Sequence, residues 1–130
     1  MPISQGDIIH GKFVGISHGK FFIVVSIPAN PVKIAFVFIN SDINPNKFPT
    51  SRLRDLHYQI LKANYGFLTH DSYVDCSEIK EEDYAVIDSL ITAHPKCFKG
   101  RVNGTDLREI MNKLGQSEKL TPKLRIKYGI

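Results

Sequence analysis

The sequence predicts an α+β fold that is mainly β, in which a small antiparallel barrel is followed by C-terminal helices. The first half of the chain holds about five short apolar runs separated by turn-forming residues. After about residue 79 the period of the apolar residues changes to a mixed spacing, and part of this region is predicted to be helical. Runs of strands followed by helices are typical of α+β proteins. Short strands linked by turns favour a barrel that closes on itself, because closure removes exposed sheet edges.

Each predicted strand is bounded by residues that form turns. Glycines 15 and 19 permit a turn before the second strand, and prolines 28 and 31 end that strand. The continuous apolar run Phe21–Val25 is typical of a strand buried on both faces, or of a short buried helix. The loop after the third strand is rich in Asp, Asn and Pro. The predicted strands are residues 7–14, 21–26, 32–40, 56–63 and 71–77.

Two helices are predicted in the second half. The first spans about Lys80–Ala93, with acidic residues at 81–83 in its first turn, where the helix dipole favours anions, and Pro95 stops it. Residues 98–104 are predicted as a loop.

The second helix is predicted by the segment TDLREIMNKLG, which places apolar side chains on one face. Asn103 or Thr105 caps its start, and Gly115 is expected to end it as a C′ glycine. Residues 120–130 are predicted as a last short strand or an extended tail.

Length and composition favour one cytoplasmic domain. The 130 residues fit a single domain, with the barrel in 1–78 and a helical part with a basic tail in 79–130. No run of about 18 apolar residues exists, so no membrane span is predicted. The start lacks a basic region followed by an apolar one, so no signal peptide is expected. Cys76 and Cys97 match no metal spacing and are expected to be free thiols in a reducing cytosol.

The charge distribution favours an anionic partner. The net charge is +4 and the isoelectric point is about 9.1. Basic residues cluster in segment 47–62 and in the tail 119–130, whereas segment 75–89 is acidic. Lys47, Arg52 and Arg54 are candidate phosphate contacts, although arginines in such a loop also fit a solvated surface.

The common motifs for phosphates, dinucleotides and metals are absent from the sequence. There is no phosphate-binding glycine loop, no dinucleotide fingerprint and no paired-histidine helix motif, so no metal and no cofactor are expected. Polar residues instead gather at strand ends, which a small barrel brings to its rim. These residues are His18, Lys20, Asn40, Ser41, Asp42, Asp75, Ser77 and Glu78.

This set suits RNA cleavage without a metal. The reaction needs a base for the 2′-hydroxyl, an acid for the leaving oxygen and a cation for the charged phosphorane. His18 exchanges protons near neutral pH and Lys20 supplies a cation, while Asn40 and Ser41 hydrogen-bond phosphate. The same residues also fit ordinary solvated turns.

Four ordered segments resemble the MazF/PemK family, the toxins of toxin–antitoxin pairs. They are GDII, KFFIVVS, FVFINSD and SYVDCSEIKEED, and the resemblance spans roughly residues 6 to 115. It implies an SH3-like barrel of about five to seven strands with C-terminal helices, usually a homodimer. It also implies a metal-independent endoribonuclease that cuts single-stranded RNA, leaves a 2′,3′-cyclic phosphate and so inhibits translation and growth. An antitoxin with an extended, often acidic segment is expected to cover the RNA groove.

The resemblance assigns roles position by position, with several departures. Lys20 stands where the family has an arginine, and a lysine does not reproduce the bidentate clamp of a guanidinium. Asn40 and Ser41 stand in place of a Thr-Thr or Thr-Ser pair. Ser77 and Glu78 stand in place of an acidic residue and a glutamine, and Asp75 in place of a basic residue. The candidate catalytic residues are therefore Lys20, Ser41, His18, Asp75 and Glu78.

Three hypotheses remain open at this point. The first is a toxin-type endoribonuclease held by an antitoxin. The second is an SH3-like module that has lost catalysis and binds RNA or a protein. The third is a structural or regulatory protein of a phage or mobile element that uses the same barrel.

Overall fold

A computed structural model of the chain describes residues 2–12 and 19–130. Within these residues, seven mostly antiparallel strands form a curled half-barrel, and four α-helices pack beside it. The predicted fold class, α+β and mainly β, is confirmed. His18 and the predicted end of the first strand lie outside the described residues.

The strands are β1 (Asp7–Gly11), β2 (Lys20–Ser26), β3 (Lys33–Asn40), β4 (His57–Ile60), β5 (Ser72–Asp75), β6 (Lys80–Asp83) and β7 (Phe98–Arg101). The α-helices are α1 (Ser51–Asp55), α2 (Tyr84–Ala93), α3 (Gly104–Gly115) and α4 (Pro122–Tyr128). Short 3₁₀ turns cover Lys62–Asn64 and Pro95–Cys97. No helix in the described part of the chain is long and apolar enough to cross a membrane.

The sheet is ordered β4-β5-β3-β2-β1-β7, and its path leaves β4 and β7 as the two end strands. Strand β3 pairs with two different strands, β6 and β5, along one edge. Its residues Lys33–Phe36 pair with β6, and its last residues, Ile39 and Asn40, pair with β5. The antiparallel pairing of β2 with β3 sets Phe21 opposite Ile39. The start of β2 therefore lies beside the end of β3.

Both faces of the central strands are buried. One face carries Ile23, Val25 and Val37 and packs against α3, α4 and the loop before β5. The other face carries Phe22 and Val24 and packs under α2. Because both faces are covered, the strand needs apolar residues at successive positions. The prediction of a doubly buried strand at Phe21–Val25 is correct for positions 22 to 25, which are fully buried.

The predicted helix at Lys80–Ala93 is only partly correct. Its first four residues form β6, and the helix begins at Tyr84. Strand β5 covers only the last residues of β3, so the first half of β3 needs another partner for its backbone groups. Strand β6 supplies it, and Lys33 pairs with Asp83 across the two strands at 3.6 Å. The acidic residues at 81–83 therefore lie in a strand rather than in a helical first turn.

Two further elements replace predicted loops. Residues predicted as the loop 98–104 include β7, which pairs with β1 through Asp7 and Arg101. The buried Asp7 carboxylate accepts a hydrogen bond from Arg101 Nε at 2.9 Å, which ties this edge strand to the sheet. The loop after β3 ends in α1, because the Thr50 side chain caps that helix by accepting from the Leu53 amide.

The C-terminal segments also differ from the prediction. Asn103, rather than Thr105, caps α3, and Gly115 is the last helical residue rather than a C′ glycine. Residues 120–130 form α4 in place of a strand or extended tail. Thr121 caps this helix and Gly129 ends it with a left-handed φ of 66°, a conformation that glycine adopts without strain.

A buried carboxylate fastens α3 to the sheet. Asp106 is buried in the first turn of α3 and accepts hydrogen bonds from Tyr58 Oη at 2.6 Å and Tyr65 Oη at 2.5 Å. The Asn103 side chain donates a third bond, at 3.2 Å. The carboxylate is thus paired with donors from β4, from the turn after it and from the helix cap, which offsets its loss of water.

We expect Asp106→Ala to lower the free energy of unfolding by about 3 kcal/mol, because both tyrosine hydroxyls lose their acceptor in a buried site. Urea denaturation measures the loss. The control is Glu109→Ala, an exposed change on the same helix, which should stay within about 0.5 kcal/mol of wild type. Equal losses in the two variants would show that the network adds no stability.

The same network predicts a loss of stability in alkali. The hydrogen bond to Asp106 and burial raise the pKa of Tyr58 to about 12, and burial together with Asp106 also raises the pKa of Tyr65. The fold therefore favours the neutral phenols over their ionised forms. This contribution is complete below the ordinary tyrosine pKa of about 10 and is lost as the pH rises through the folded-state pKa.

Urea denaturation between pH 9 and 12, a range of about three units that begins just below that ordinary value, should show this loss. Tyr58→Phe should fall less steeply than wild type over this range, because the phenylalanine does not ionise. Tyr73→Phe removes a hydroxyl with no hydrogen bond to Asp106 and should keep the wild-type slope. A Tyr58→Phe slope equal to that of wild type would contradict the assignment.

Candidate functional site

A cleft of about 400 Å³ opens at the rim where β2 begins and β3 ends. The antiparallel β2–β3 register brings these ends together, and the segments 41–48 and 67–72 wall the cleft. Its lining combines cationic, hydroxyl, amide and aromatic side chains. The lining residues are Gly19, Lys20, Phe21, Ile39, Asn40, Ser41, Asp42, Asn44, Lys47, Phe48, Phe67, Leu68, Thr69, His70 and Ser72.

Lys20 is held firmly at the first position of β2. Its ammonium donates to Asn40 Oδ1 at 2.6 Å and lies 4.8 Å from the centre of the Phe38 ring. Burial lowers the pKa of Lys20, the nearby Lys47 lowers it further, and Asp75 opposes the change. The sequence prediction of a cation at this entry is therefore matched by a half-buried ammonium at the rim.

The segment after β3 carries the polar side of the cleft. Ser41 and Asp42 are exposed directly after the strand. A turn follows, in which the Asn44 side chain accepts from the amide of Asn46 at 2.9 Å. The backbone amide of Lys47 donates to the Asn44 carbonyl at 3.1 Å, and this turn returns Lys47 to the cleft. Lys47 forms no salt bridge with any residue that the structure describes, so its charge is available to a ligand.

The aromatic rings of Phe21 and Phe67 also line the cleft, and the His10 ring packs against Phe21. The ring centres of Phe21 and Phe67 are 4.9 Å apart, and those of Phe21 and His10 are 4.6 Å apart. Gly19 makes room for this row, because a Cβ at that position would lie 2.5 Å from His10 Cε1. Such rings offer flat faces on which nucleic-acid bases stack.

Asp75 lies behind the cleft rather than in its lining. It is buried, and its Oδ1 accepts from the Ser77 amide at 2.9 Å and from Ser77 Oγ at 2.6 Å. His57 Nδ1 donates to the Leu53 carbonyl at 2.9 Å. His57 Nε2 lies 3.8 Å from Asp75 Oδ1 and has no hydrogen-bond partner among the residues that the structure describes. The edge of the His57 ring meets Phe48, with centres 4.3 Å apart, so this group supports the cleft wall from behind.

Three other predicted residues do not line the cleft and instead contact other parts of the protein; they are Glu78, Arg52 and Arg54. Glu78 pairs with Lys80 at 3.2 Å. Arg52 pairs with Glu118 at 3.2 Å and donates to the Gln116 carbonyl.

Arg54 donates to the Phe48 carbonyl at 2.9 Å and so holds a lining residue from outside. Of the predicted site residues, the cleft thus brings together Lys20, Asn40, Ser41 and Lys47. His18 lies outside the described residues.

The sequence interpretation missed the contribution of the loop before β5. This loop supplies Phe67, Thr69 and His70 to the cleft, and β5 supplies Ser72. The signal that would have found them is the pairing of β3 with β5, because antiparallel neighbours set the start of one strand beside the end of the other.

The described residues contain no group arranged to bind a metal ion, and the buried thiol among them is not a nucleophile. No group of three or more His, Cys, Asp or Glu side chains in residues 2–12 and 19–130 is arranged to hold a metal ion. Burial raises the pKa of Cys76 to about 12, so this thiol stays protonated and acts as a small core residue, as its place in the sequence predicted. Cys97 is also a free thiol.

Comparison with known protein families and with curated proteins finds no match for this chain. The resemblance to the MazF/PemK family therefore stays a prediction drawn from the ordered segments, and the curled sheet is not specific to that family.

We expect Gly19→Ala to disturb the aromatic side of the cleft. The added methyl must displace the His10 ring, which packs against Phe21. Overpacking of this kind lowers the free energy of unfolding by about 1–3 kcal/mol. Urea denaturation and the NMR signals of the Phe21 and Phe67 rings measure the effect.

The matched control is Gly66→Ala, where a new Cβ meets no atom within 4 Å. It should leave both the stability and the ring signals close to wild type. Two variants with indistinguishable stability and ring signals would show that the Gly19 contact does not shape the cleft.

Proposed function

We propose that this chain is a metal-independent endoribonuclease of the MazF/PemK-like toxin type, which binds and cuts single-stranded RNA in the rim cleft. The observation that carries the proposal is the convergence of the Lys20 and Lys47 ammonium groups on one cleft that also has hydroxyl donors and aromatic walls. Two like charges at one site repel each other, and a bound phosphodiester would relieve that repulsion.

The lining suits the parts of an RNA strand. Lys20 and Lys47 can neutralise charge on a phosphate, and the hydroxyls of Ser41 and Thr69 can donate to its oxygens. Phe21 and Phe67 offer faces for bases. Lysine acts as a point charge where the resemblance expects an arginine, but its hydrogen bond to Asn40 fixes the ammonium at the rim.

A second candidate function is an SH3-like module that binds RNA or a protein without cutting. The engagement of two predicted catalytic acids away from the cleft favours it. Asp75 is tied to Ser77, and Glu78 pairs with Lys80. A cleft without either carboxylate would still bind an anion.

The proposal includes a partner and an assembly. The cationic cleft would be covered by an acidic extended segment of a cognate antitoxin, because opposite charges complement each other at such a surface. A homodimer forms part of the same proposal, since the resemblance to the toxin family implies it.

Induced expression, growth measurement and mapping of RNA 5′ ends test the proposal. Wild type should slow growth and create new 5′-hydroxyl ends, and the purified protein should cut the same sites. Lys20→Ala should reduce the cleavage rate by about 100-fold or more, because it removes a cation beside the reacting phosphate. Ser41→Ala should reduce the rate by about 10-fold through loss of one hydrogen bond.

Lys123→Ala is the matched control, since it removes one exposed lysine of α4 outside the cleft lining. It should cut like wild type. Wild-type protein that binds RNA in a salt-dependent way but creates no new ends would support the noncatalytic module instead. Absence of both RNA binding and RNA cutting would overturn the nuclease and the RNA-binding module, and would leave only a module that binds a protein.

A further inference from the structure

His70 lines the same cleft as Lys20 and Ser41, from the loop that precedes β5. Its Nδ1 lies 2.9 Å from the carbonyl oxygen of Asp71. A carbonyl oxygen only accepts hydrogen bonds, so Nδ1 carries the proton in the neutral ring. The other nitrogen, Nε2, then has a free lone pair, and it makes no hydrogen bond to any residue that the structure describes.

The loop around His70 is held by its own contacts. The Asp71 carboxylate accepts from the amide of Lys62 at 2.8 Å, and Ser72 Oγ donates to the His70 carbonyl at 3.1 Å. Ser72 Oγ also lies 3.4 Å from His70 Nδ1. These bonds fix the backbone on both sides of an exposed imidazole. A defined tautomer on a loop held by these bonds suits a general base, whose acceptor nitrogen must come within hydrogen-bond reach of the proton that it removes.

The other described histidines are placed for different tasks. The His10 ring packs against Gly19 and Phe21. The His57 side chain is fully buried. His94 caps the end of α2, outside the cleft lining. Within residues 2–12 and 19–130, His70 is thus the one histidine that lines the cleft.

We infer, on the basis of the proposed function, that His70 is the general base of the RNA cleavage. His70 Nε2 takes the proton of the 2′-hydroxyl, and the 2′-oxygen forms a bond to phosphorus. The bond between phosphorus and the 5′-oxygen breaks, and that oxygen leaves with the electron pair and takes a proton from the Lys20 ammonium. The products are a 2′,3′-cyclic phosphate and a 5′-hydroxyl, and water returns both side chains to their starting states.

The charges around His70 are compatible with this role. The cleft lining contributes Lys20, Lys47 and Asp42, and the neighbouring Asp71 carboxylate is engaged by a backbone amide. Burial lowers the pKa of Lys20, which makes its ammonium a better proton donor than an ordinary lysine.

The test compares wild type with His70→Gln in single-turnover cleavage of an RNA site mapped for the wild type, across pH 5 to 8, the range of about three units in which histidine changes charge. His70→Gln should cut at least about 100-fold more slowly at pH 7.5. The wild-type rate should fall as the pH drops, because a protonated imidazole accepts no proton, and the residual rate of His70→Gln should lack this dependence.

His94→Gln is the matched control and should keep both the rate and the pH profile of wild type. Added imidazole should restore cleavage to His70→Ala, which a purely structural role would not allow. Unchanged cleavage by His70→Gln, or failure of imidazole to rescue His70→Ala, would overturn the inference while the nuclease proposal stands. A wild type that cuts no RNA would overturn the proposed function itself and His70 as its base.

Discussion

The antiparallel pairing of β2 with β3 is the constraint on which the rest of the structure depends. Both strands are buried on their two faces, so two separate apolar cores form on the same pair of backbones. Strand β3 also serves as the template for β5 and β6 along its other edge. Because paired antiparallel strands run in opposite directions, the entry of β2 must meet the exit of β3. The rim cleft is a direct consequence of this register.

The register also explains why so buried a strand begins with a lysine. Lys20 is the first residue of β2 and lies at the rim, where its ammonium donates to Asn40 Oδ1 and lies over the Phe38 ring. A lysine stem can be buried while the charged end stays near water. The lowered pKa of Lys20 comes first from that burial and then from Lys47.

The central strands could be predicted from the sequence because their signals are local, and of the four predicted cations Lys20 and Lys47 line the cleft whereas Arg52 and Arg54 do not. The run Phe21–Val25 is apolar because the middle of the strand is buried on both faces. Lys20 and Asn40 are polar because they stand at strand ends, where the buried core stops. Strand β6 could not be predicted from its own acidic residues. It forms because the first half of β3 needs a pairing partner, and β3 lies more than 40 residues earlier in the chain. Helix α4 was missed although Thr121, Pro122 and Gly129 mark its ends, since seven residues are too few for a clear helical period.

Ion pairing within the fold decides which charges a ligand meets. The arginines of α1 are held by Glu118 and by backbone carbonyls, whereas Lys47 has no salt bridge to the described residues. The Asp75 carboxylate is likewise held behind the cleft by Ser77. A carboxylate base in the cleft would repel a phosphodiester as it approached, whereas a neutral imidazole accepts a proton without that repulsion. Neither Asp75 nor Glu78 lies in the lining, where Asp42 is the one carboxylate among the described residues. This placement favours His70 as the base over either predicted acid.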